Sequence, residues 1–338
     1  MKWNWFRGQP GVEPPAEPVD IESVDREALF GPADYEADAA LADAVNTALL
    51  LDQPLLLTGE PGTGKTQLAE KLALELALEP VFRFETKSTS VAQDLFYSFD
   101  HIARFQAAQA GSADPDLHPL RFVEYQALGR AVLQSLTADE AKAWFHDGKL
   151  PLWFRGSRRA VVLIDEIDKA PSDFPNDALN EIERHYFRLR EWQAREVHAA
   201  RTRRPVVVIT SNSEKQLPDA FLRRCVFHHL QPMDAGRLER IALRRLAALR
   251  VQRGRLLEDA LKLFFDLRDE GELRFDLRKK PSTAEFLGFM TALAQDARAE
   301  PKSPLRAEHA RRVLSTLVKA PEDQVAAGRH PLLQASEG

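Results

Sequence analysis

Residues 59–66 have residue types and a spacing suited to binding a phosphate. They read Gly-Glu-Pro-Gly-Thr-Gly-Lys-Thr, the complete pattern G-x-x-x-x-G-K-[ST]. Glycines in such a loop let backbone amides converge on a phosphate without obstruction by Cβ atoms. The pattern predicts that Lys65 contacts the β- and γ-phosphates and that Thr66 ligates Mg²⁺. The residues predicted to bind the nucleotide are Gly59, Glu60, Pro61, Gly62, Thr63, Gly64, Lys65, Thr66 and Gln67.

The segments on either side of this loop match the context that the motif requires. Residues 54–58 form a short apolar run that is typical of a buried parallel strand. Residues 67–78 follow with a helical composition, and their apolar side chains at helical spacing are Leu68, Ala69, Leu72 and Leu76. A strand, a glycine-rich loop and a helix in this order favour a phosphate site over a flexible Gly/Pro surface loop, because the helix N-terminus adds positive dipole.

A pair of carboxylates follows the apolar run 160–164. Ligands of open α/β sheets bind at the carboxyl ends of the strands, so Asp165 and Glu166 are expected at the same edge as the phosphate loop. Asp165 is predicted to hold Mg²⁺, and Glu166 to orient or deprotonate an attacking water. A strand that ends in Asp-Glu and enters a turn is the simpler alternative, and the phosphate loop earlier in the chain argues against it.

Three further residues are candidates for the reaction. Asn212 follows the apolar run 205–210, where its amide could hold the same water or the γ-phosphate; a turn residue is the alternative. Arg223 and Arg224 lie just before another apolar run. They could be solvated charges or arginine fingers that act on the nucleotide of a neighbouring molecule, and their spacing alone does not decide between the two.

The order of apolar segments predicts an α/β fold with a second, helical domain. Five short apolar strands separated by helical segments imply a parallel sheet covered on both faces. Strand signals stop after about Pro232, and four helical segments follow. The predicted domains are an extended N-terminal tail (1–29), an α/β nucleotide-binding domain (30–232), an all-helical domain (233–322) and a C-terminal tail (323–338).

These motifs together resemble the AAA+ ATPases, over roughly residues 30–300. The amino-acid sequences of three segments resemble the MoxR family in particular. They are Gly59–Thr66, the run Leu-Ile-Asp-Glu-Ile-Asp-Lys-Ala at 163–170, and the run Leu-Pro-Asp-Ala-Phe-Leu-Arg-Arg-Cys at 217–225. The resemblance implies a five-stranded AAA+ domain with a helical lid, ATP and Mg²⁺ as cofactors, and a hexameric ring. It assigns the sensor-1 role to Asn212 and the arginine-finger role to Arg223, Arg224 or both.

The resemblance also implies a protein client. MoxR-type ATPases usually work with a protein that has a von Willebrand factor A domain, and they remodel or activate clients, often by helping to insert a metal cofactor. The sequence departs from the family in one respect, since the helix expected to begin near Ser282 has no arginine in its first turn. Arg278, Lys279 and Lys280 lie just before it, and the sequence does not say which of them substitutes.

Bulk composition sets limits on the remaining function classes. The chain has 338 residues, a net charge of −5 and a single cysteine, Cys225, so no internal disulfide can form and a cytoplasmic location is expected. No apolar run is long enough for a membrane helix, and the N-terminus has no signal-peptide core. The acidic total argues against nucleic acid as a partner, although residues 237–255 contain seven arginines.

Three functions remain open from the sequence. The first is an ATP-hydrolysing ring that remodels a protein, which the presence of Glu166 and of candidate arginine fingers favours. The second is a nucleotide-gated binding module with slow turnover. The third is a DNA-acting AAA+ motor, which would need salt-sensitive DNA binding that stimulates hydrolysis.

Overall fold

The computed structural model describes residues 17, 19–21, 23–25, 31–109, 117–213, 217–295 and 302–334. Within these residues the chain forms two compact units. The α/β unit comprises Ala37–Gly59 and Gly64–Gln231. The helical unit comprises Glu60–Thr63, the described part of Pro232–Gly338 and the described part of Met1–Glu36. Most of the expected N-terminal tail lies outside the described residues.

The described part of the α/β unit contains nine strands. They are β1 (Leu55–Gly59), β2 (Phe82–Glu85), β3 (Tyr97–Phe99), β4 (Val123–Tyr125), β5 (Val161–Asp165), β6 (Tyr186–Leu189), β7 (Arg195–His198), β8 (Val206–Thr210) and β9 (Val226–Leu230). Five of them form a parallel sheet in the order β2-β5-β8-β1-β9. The predicted five-stranded parallel sheet is therefore confirmed.

The sheet follows directly from the apolar runs in the sequence. Every residue of β1, β5 and β8 is buried, as expected for central strands that are covered on both faces. The register pairs Leu55 of β1 with Val208 of β8, and Val161 of β5 with Val206 of β8. Because neighbouring parallel strands end at the same edge, this register brings the residues after β1, β5 and β8 close together.

Seven α-helices accompany these strands in the described part of the α/β unit. They are α1 (Ala39–Leu51), α2 (Lys65–Glu75), α3 (His101–Gln109), α4 (Ala127–Ser135), α5 (Ala138–Lys142), α6 (Phe174–Arg184) and α7 (Asp219–Leu222). Asp38 caps α1 by accepting a hydrogen bond from the Leu41 amide at 2.8 Å. A capping box formed by Thr137 and Glu140 starts α5.

Two antiparallel strand pairs are added to this core. One pairs β3 with β4, and the other pairs β6 with β7. The ring of Phe187 in β6 lies 5.6 Å from Phe96, 6.0 Å from Tyr125 and 6.3 Å from Trp144 between ring centroids. The β6–β7 hairpin is therefore anchored in an aromatic part of the hydrophobic core.

The helical unit contains five α-helices in its described residues: α8 (Ala235–Arg245), α9 (Arg255–Leu267), α10 (Thr283–Ala294), α11 (Ala307–Leu317) and α12 (Pro321–Ala327). Their apolar faces form a hydrophobic core of their own. The helix expected to begin near Ser282 is α10, and a capping box formed by Ser282 and Glu285 starts it.

The chain after residue 323 differs from the predicted C-terminal tail. Residues 321–327 are helical, and Ala327 and Leu333 are buried in the core of the helical unit. The physical reason can be read in the sequence, because Pro321 starts the helix and Glu322 and Asp323 lie in its first turn, where the helix dipole favours acidic side chains.

None of the helices in the described residues has the length and apolarity needed to cross a membrane.

Candidate functional site

The phosphate loop joins β1 to α2, as the motif requires. Gly62 and Gly64 have φ angles of 80° and 95°, in the left-handed region where glycine is the favoured residue. Lys65 begins α2 and is only 6% exposed. Its ammonium group donates a hydrogen bond to the Gly59 carbonyl at 2.7 Å, so the side chain lies along the loop. The first turn of α2, with Thr66 and Gln67, places backbone amides at the positive end of the helix dipole, where an anion is favoured.

Asp165 lies at the carboxyl end of β5 and connects three parts of the site. The hydroxyl of Thr210, at the end of β8, donates to its Oδ1 at 2.6 Å. The hydroxyl of Thr66 donates to the same oxygen at 3.1 Å. On the other side, the guanidinium of Arg83 in β2 donates to Oδ2 at 2.6 Å. The expectation that Asp165 and the phosphate loop meet at one edge of the sheet therefore agrees with the geometry.

The electrostatic environment keeps Asp165 ionised. Partial burial by itself would raise the pKa of this carboxyl. The hydrogen bonds from Thr210 and Arg83 and the positive charge of Arg83 outweigh that effect and hold the pKa of Asp165 below its usual value. A charged carboxylate at this position is available to a cation.

Glu166 is held in a defined orientation beside Asp165. Its backbone amide donates to the Thr210 hydroxyl at 2.8 Å. One carboxylate oxygen accepts a hydrogen bond from the side-chain amide of Asn212 at 3.2 Å, and the other forms an ion pair with Lys169. The backbone amide of Asn212 donates to Asp168 at 3.0 Å, which orients the loop after β8. The predicted pair of Glu166 and Asn212 is thus in direct contact.

The donor set fits a hard divalent cation. Thr66 offers a hydroxyl oxygen and Asp165 a carboxylate oxygen, which are ligand types that Mg²⁺ prefers. No group of three or more His, Cys, Asp and Glu side chains in the described residues is arranged to hold a metal on its own. Mg²⁺ normally relies on one or two protein oxygens together with substrate phosphates, so Thr66 and Asp165 suit a nucleotide-dependent metal site.

Arg223 and Arg224 occupy a different place in the α/β unit. They follow α7, and both are exposed. Arg224 lies 3.7 Å from the carboxylate of Glu183 on α6. Neither arginine is among the residues that contact Lys65, Asp165 or Glu166 in the hydrogen bonds of the described site. Their exposure leaves them available to another molecule.

Two arginines that contact candidate site residues are absent from the set predicted from the sequence. Arg83 binds Asp165, and the sequence shows it only as one polar residue of an alternating strand. Arg268 follows α9 in the helical unit, where its side chain is 5% exposed. It donates to Glu60 at 2.8 Å, to Glu270 at 2.9 Å and to the Pro281 carbonyl at 2.8 Å. No local pattern indicates either contact.

Two of the three cations considered as substitutes for the missing arginine near Ser282 have other partners in the structure. Arg278 is exposed and pairs with Glu322 at 2.6 Å. Lys280 lies 3.4 Å from Asp269. Arg268, rather than these residues, is the cation of the helical unit that binds the tip of the phosphate loop at Glu60.

Part of the arginine-rich stretch near α8 is paired within the helical unit. Arg240 and Arg244 lie 3.6 and 3.3 Å from the carboxylate oxygens of Glu36. Arg253 lies 3.0 Å from Glu239. These ion pairs account for part of the positive charge of residues 237–255.

Fold and site together define a P-loop nucleotide-binding protein: a parallel sheet, a phosphate loop that leads into a helix, and acidic residues at the adjacent strand end. A sequence model of the AAA domain (dynein-related subfamily) matches residues 54–225, which is just over half of the chain. The chain therefore belongs to this family of AAA-domain ATPases.

Solved structures with a similar chain include the Thermotoga maritima RuvB Holliday junction branch migration motor. The two sequences are 15% identical. The alignment covers 84% of this chain and 69% of the RuvB chain, and its TM-score is 0.47. Two variants of the same RuvB protein, at 15% and 14% identity and with the same coverage, give TM-scores of 0.45 and 0.42. No curated protein matches the sequence.

Proposed function

We propose that this protein is a Mg²⁺-dependent ATPase of the MoxR type that works as a ring, hexameric as in that family, and remodels or activates a protein client. The observation that carries the hydrolytic part is the contact of Glu166 with Asn212 beside Asp165 and Thr66. A carboxylate oriented by an amide at this position suits a water nucleophile rather than transfer to a small substrate.

Each residue has a distinct role in this proposal. Lys65 and the loop amides bind the phosphates, while Thr66 and Asp165 hold Mg²⁺. The metal, when bound, neutralises negative charge on the β- and γ-phosphate oxygens. Glu166 orients the water and accepts its proton, and Asn212 keeps the carboxylate of Glu166 in place. Before the water binds, the Glu166 carboxylate forms an ion pair with Lys169. This ion pair breaks when the carboxylate binds the water.

The assembly part of the proposal depends on Arg223 and Arg224. Both are exposed in the described structure and far along the chain from the phosphate loop. In a ring they would supply positive charge to the nucleotide of the neighbouring molecule. The client part depends on the resemblance to MoxR proteins, and a protein with a von Willebrand factor A domain is the partner that it favours.

Nucleotide binding is tested with Lys65→Ala. The variant is expected to lose binding of a fluorescent ATP analogue by at least about a hundredfold, because the lysine provides the charge that faces the phosphates. Lys71→Ala, at a position six residues further along α2, serves as the matched control. Normal ATP binding by Lys65→Ala would remove the phosphate-loop assignment.

The trans role of the arginines is tested by mixing variants. Arg223→Ala or Arg224→Ala is combined with Lys65→Ala, so that active sites form only between unlike subunits. Restored turnover in the mixture supports a ring with shared sites, whereas a mixture as inactive as its components argues against it. Unmixed wild-type protein should show hydrolysis that rises cooperatively with concentration; ATP-dependent assembly without turnover would favour the nucleotide-gated module.

The client is tested by affinity capture with Glu166→Gln and ATP from the native cell lysate. Nuclease-treated and untreated samples are compared. Recovery of a protein with a von Willebrand factor A domain in both samples supports remodelling of a protein. Recovery of nucleic acid, with partners lost after nuclease treatment, would replace the proposal with a DNA- or RNA-acting motor.

A further inference from the structure

Arg83 occupies one side of the carboxylate that the metal requires. Its guanidinium lies 2.6 Å from Oδ2 of Asp165, and the Asp165 side chain is only 11% exposed. The two residues come from neighbouring parallel strands, since β2 pairs with β5 and Glu85 lies opposite Asp165 in the register. With Thr66 and Thr210 on Oδ1, both oxygens of Asp165 are hydrogen-bonded by the protein itself.

These contacts of Asp165 are suited to a site in which no metal is bound. A partly buried carboxylate is unfavourable without a positive partner, and Arg83 supplies one. A divalent cation held by Thr66 and Asp165 would be close to the same guanidinium. Two positive groups on one carboxylate repel each other, so the arginine and the metal compete for Asp165.

A second carboxylate lies within reach of the arginine. Glu85 is two residues further along β2, and side chains at this spacing lie on the same face of a strand. Its Oε1 is 3.8 Å from Nε of Arg83, and its side chain is 74% exposed. The Arg83 side chain is itself 44% exposed and belongs to an edge strand of the sheet, so it has room to turn towards Glu85.

The other face of β2 is fixed in place. Phe82 packs edge-to-face against Trp153, and Phe84 stacks on Phe174 with ring centroids 6.3 Å apart. The backbone of β2 is also paired with β5 along its whole length. A change of partner by Arg83 can therefore take place in the side chain alone, without movement of the strand.

We propose that Arg83 is a resident counter-cation of the metal site: it binds Asp165 when Mg²⁺ is absent and turns to Glu85 when Mg²⁺ and nucleotide bind. Arg83 is a positioning residue in this scheme, since it acts through Asp165. The arginine keeps the empty site stable and raises the Mg²⁺ concentration at which the site fills. The inference rests on the proposed nucleotide-binding function.

The test measures metal dependence of binding rather than turnover. A fluorescent, slowly hydrolysed ATP analogue is titrated at a series of free Mg²⁺ concentrations, and Mn²⁺ bound to the nucleotide complex is counted by electron paramagnetic resonance. Arg83→Gln is expected to lower the Mg²⁺ concentration at half-saturation by about tenfold, because a cation beside a carboxylate weakens its affinity for another cation by about this factor.

The opposite result is expected for Glu85→Gln. Without its second partner the arginine stays on Asp165, so more Mg²⁺ is needed, by about threefold for an exposed pair. The double variant should behave like Arg83→Gln. Arg188→Gln, which breaks an exposed ion pair with Glu196 on the β6–β7 hairpin, should leave the midpoint unchanged. If Arg83→Gln folds poorly, Arg83→Lys keeps the charge and should stay near the wild-type midpoint.

The outcomes separate this inference from the proposed function. Wild-type nucleotide affinity that does not respond to Mg²⁺ would contradict both. A Mg²⁺-dependent wild type with an unchanged or raised midpoint in Arg83→Gln would overturn the counter-cation role alone. An unchanged midpoint in Glu85→Gln would overturn the exchange between the two carboxylates.

Discussion

Glu166 has a backbone conformation that residues other than glycine rarely adopt, with φ of 56° and ψ of 54°. Such a conformation costs on the order of 1 kcal/mol or more and persists where surrounding contacts determine it. Here the Glu166 amide binds Thr210 and its carboxylate binds Asn212. The conformation turns the chain sharply after Asp165, so that two consecutive carboxylates take different partners.

Substitution of Glu166 separates nucleotide binding from hydrolysis. Glu166→Gln keeps the length and the hydrogen-bonding shape of the side chain but removes its capacity to accept a proton. Hydrolysis is expected to fall by about 10²–10⁴-fold, the usual contribution of a positioned base, while ATP affinity stays within about threefold. Single-turnover kinetics and a filter-binding assay measure the two quantities.

A matched control uses a carboxylate outside the site. Glu75→Gln removes an exposed residue that pairs with Lys71 on α2 and should leave turnover near the wild-type value. Glu166→Gln with more than about a tenth of wild-type turnover would take Glu166 out of the mechanism.

At the scale of elements, the loop between α9 and α10 is held by the buried guanidinium of Arg268. It binds the Pro281 carbonyl just before α10 and Glu270 just after α9, and it lies over the ring of Phe264 at 5.7 Å. A buried charged hydrogen-bond donor contributes more than an exposed ion pair, because removing Arg268 leaves the buried Pro281 carbonyl without its donor.

This difference predicts unequal effects for two arginines of the helical unit. Arg268→Ala is expected to lower the free energy of unfolding by about 2 kcal/mol. Arg278→Ala removes a 75% exposed side chain and should change it by less than about 0.5 kcal/mol. Urea unfolding followed by circular dichroism measures both. Equal effects of the two substitutions would contradict a structural role for the buried guanidinium.

The elements that the sequence predicts best are those with a local physical signal. The central strands are continuous apolar runs bounded by Pro, Gly or polar residues, and the capping boxes at Thr137 and Ser282 mark two helix starts. Strands β3 and β4 are three residues long, and their pairing is not visible in local sequence. Residues 107–109 belong to α3, and Asp100 caps the start of that helix by accepting a hydrogen bond from the Ala103 amide.

The residues of the candidate site also divide into those with a local sequence signal and those without one. The phosphate loop, Asp165 and Glu166 could be predicted because their chemistry requires a contiguous motif. The contacts of Arg83 with Asp165 and of Arg268 with Glu60 join residues 82 and 208 positions apart. An arginine in a strand or at a helix end has no local pattern that names its partner, so these contacts follow only from the assembled fold.

At the scale of the whole molecule, two buried histidines make stability depend on pH. His330 is 1% exposed and hydrogen-bonds Asp266 in the helical unit. His185 is 2% exposed in the α/β unit and lies 3.6 Å from Asp52, with Arg204 and Arg159 also facing it. Burial lowers the pKa of each imidazole below the usual 6.5.

The sign of the effect follows from proton binding. Below about pH 6.5 the unfolded chain takes up protons on these histidines, while the folded chain keeps them neutral. The free energy of unfolding is therefore expected to fall as the pH drops from 7 to 5, by up to about 1.4 kcal/mol per pH unit for each histidine. Urea unfolding at several pH values measures this slope.

A single substitution tests the contribution of one histidine to the pH dependence of the free energy of unfolding. His185→Asn suits the left-handed backbone at that position, where φ is 52°, and should reduce the slope. Val325→Ala, which changes an exposed side chain that does not titrate, should leave the slope unchanged. A slope as steep in His185→Asn as in the wild type would contradict the contribution of this residue.

The strand order also determines when the sheet can be completed during synthesis. Strand β1 is central, yet its partner β9 lies 171 residues later in the chain. At about 5–20 residues per second, roughly 10 to 35 seconds pass between translation of the two strands. During that interval the apolar run Leu55–Leu57 lacks its neighbours in the nascent chain, and truncation before residue 226 would leave β1 permanently as an exposed edge. A ribosome-bound fragment that stops before residue 226 would therefore expose β1, the strand that leads into the phosphate loop, to pairing with other chains.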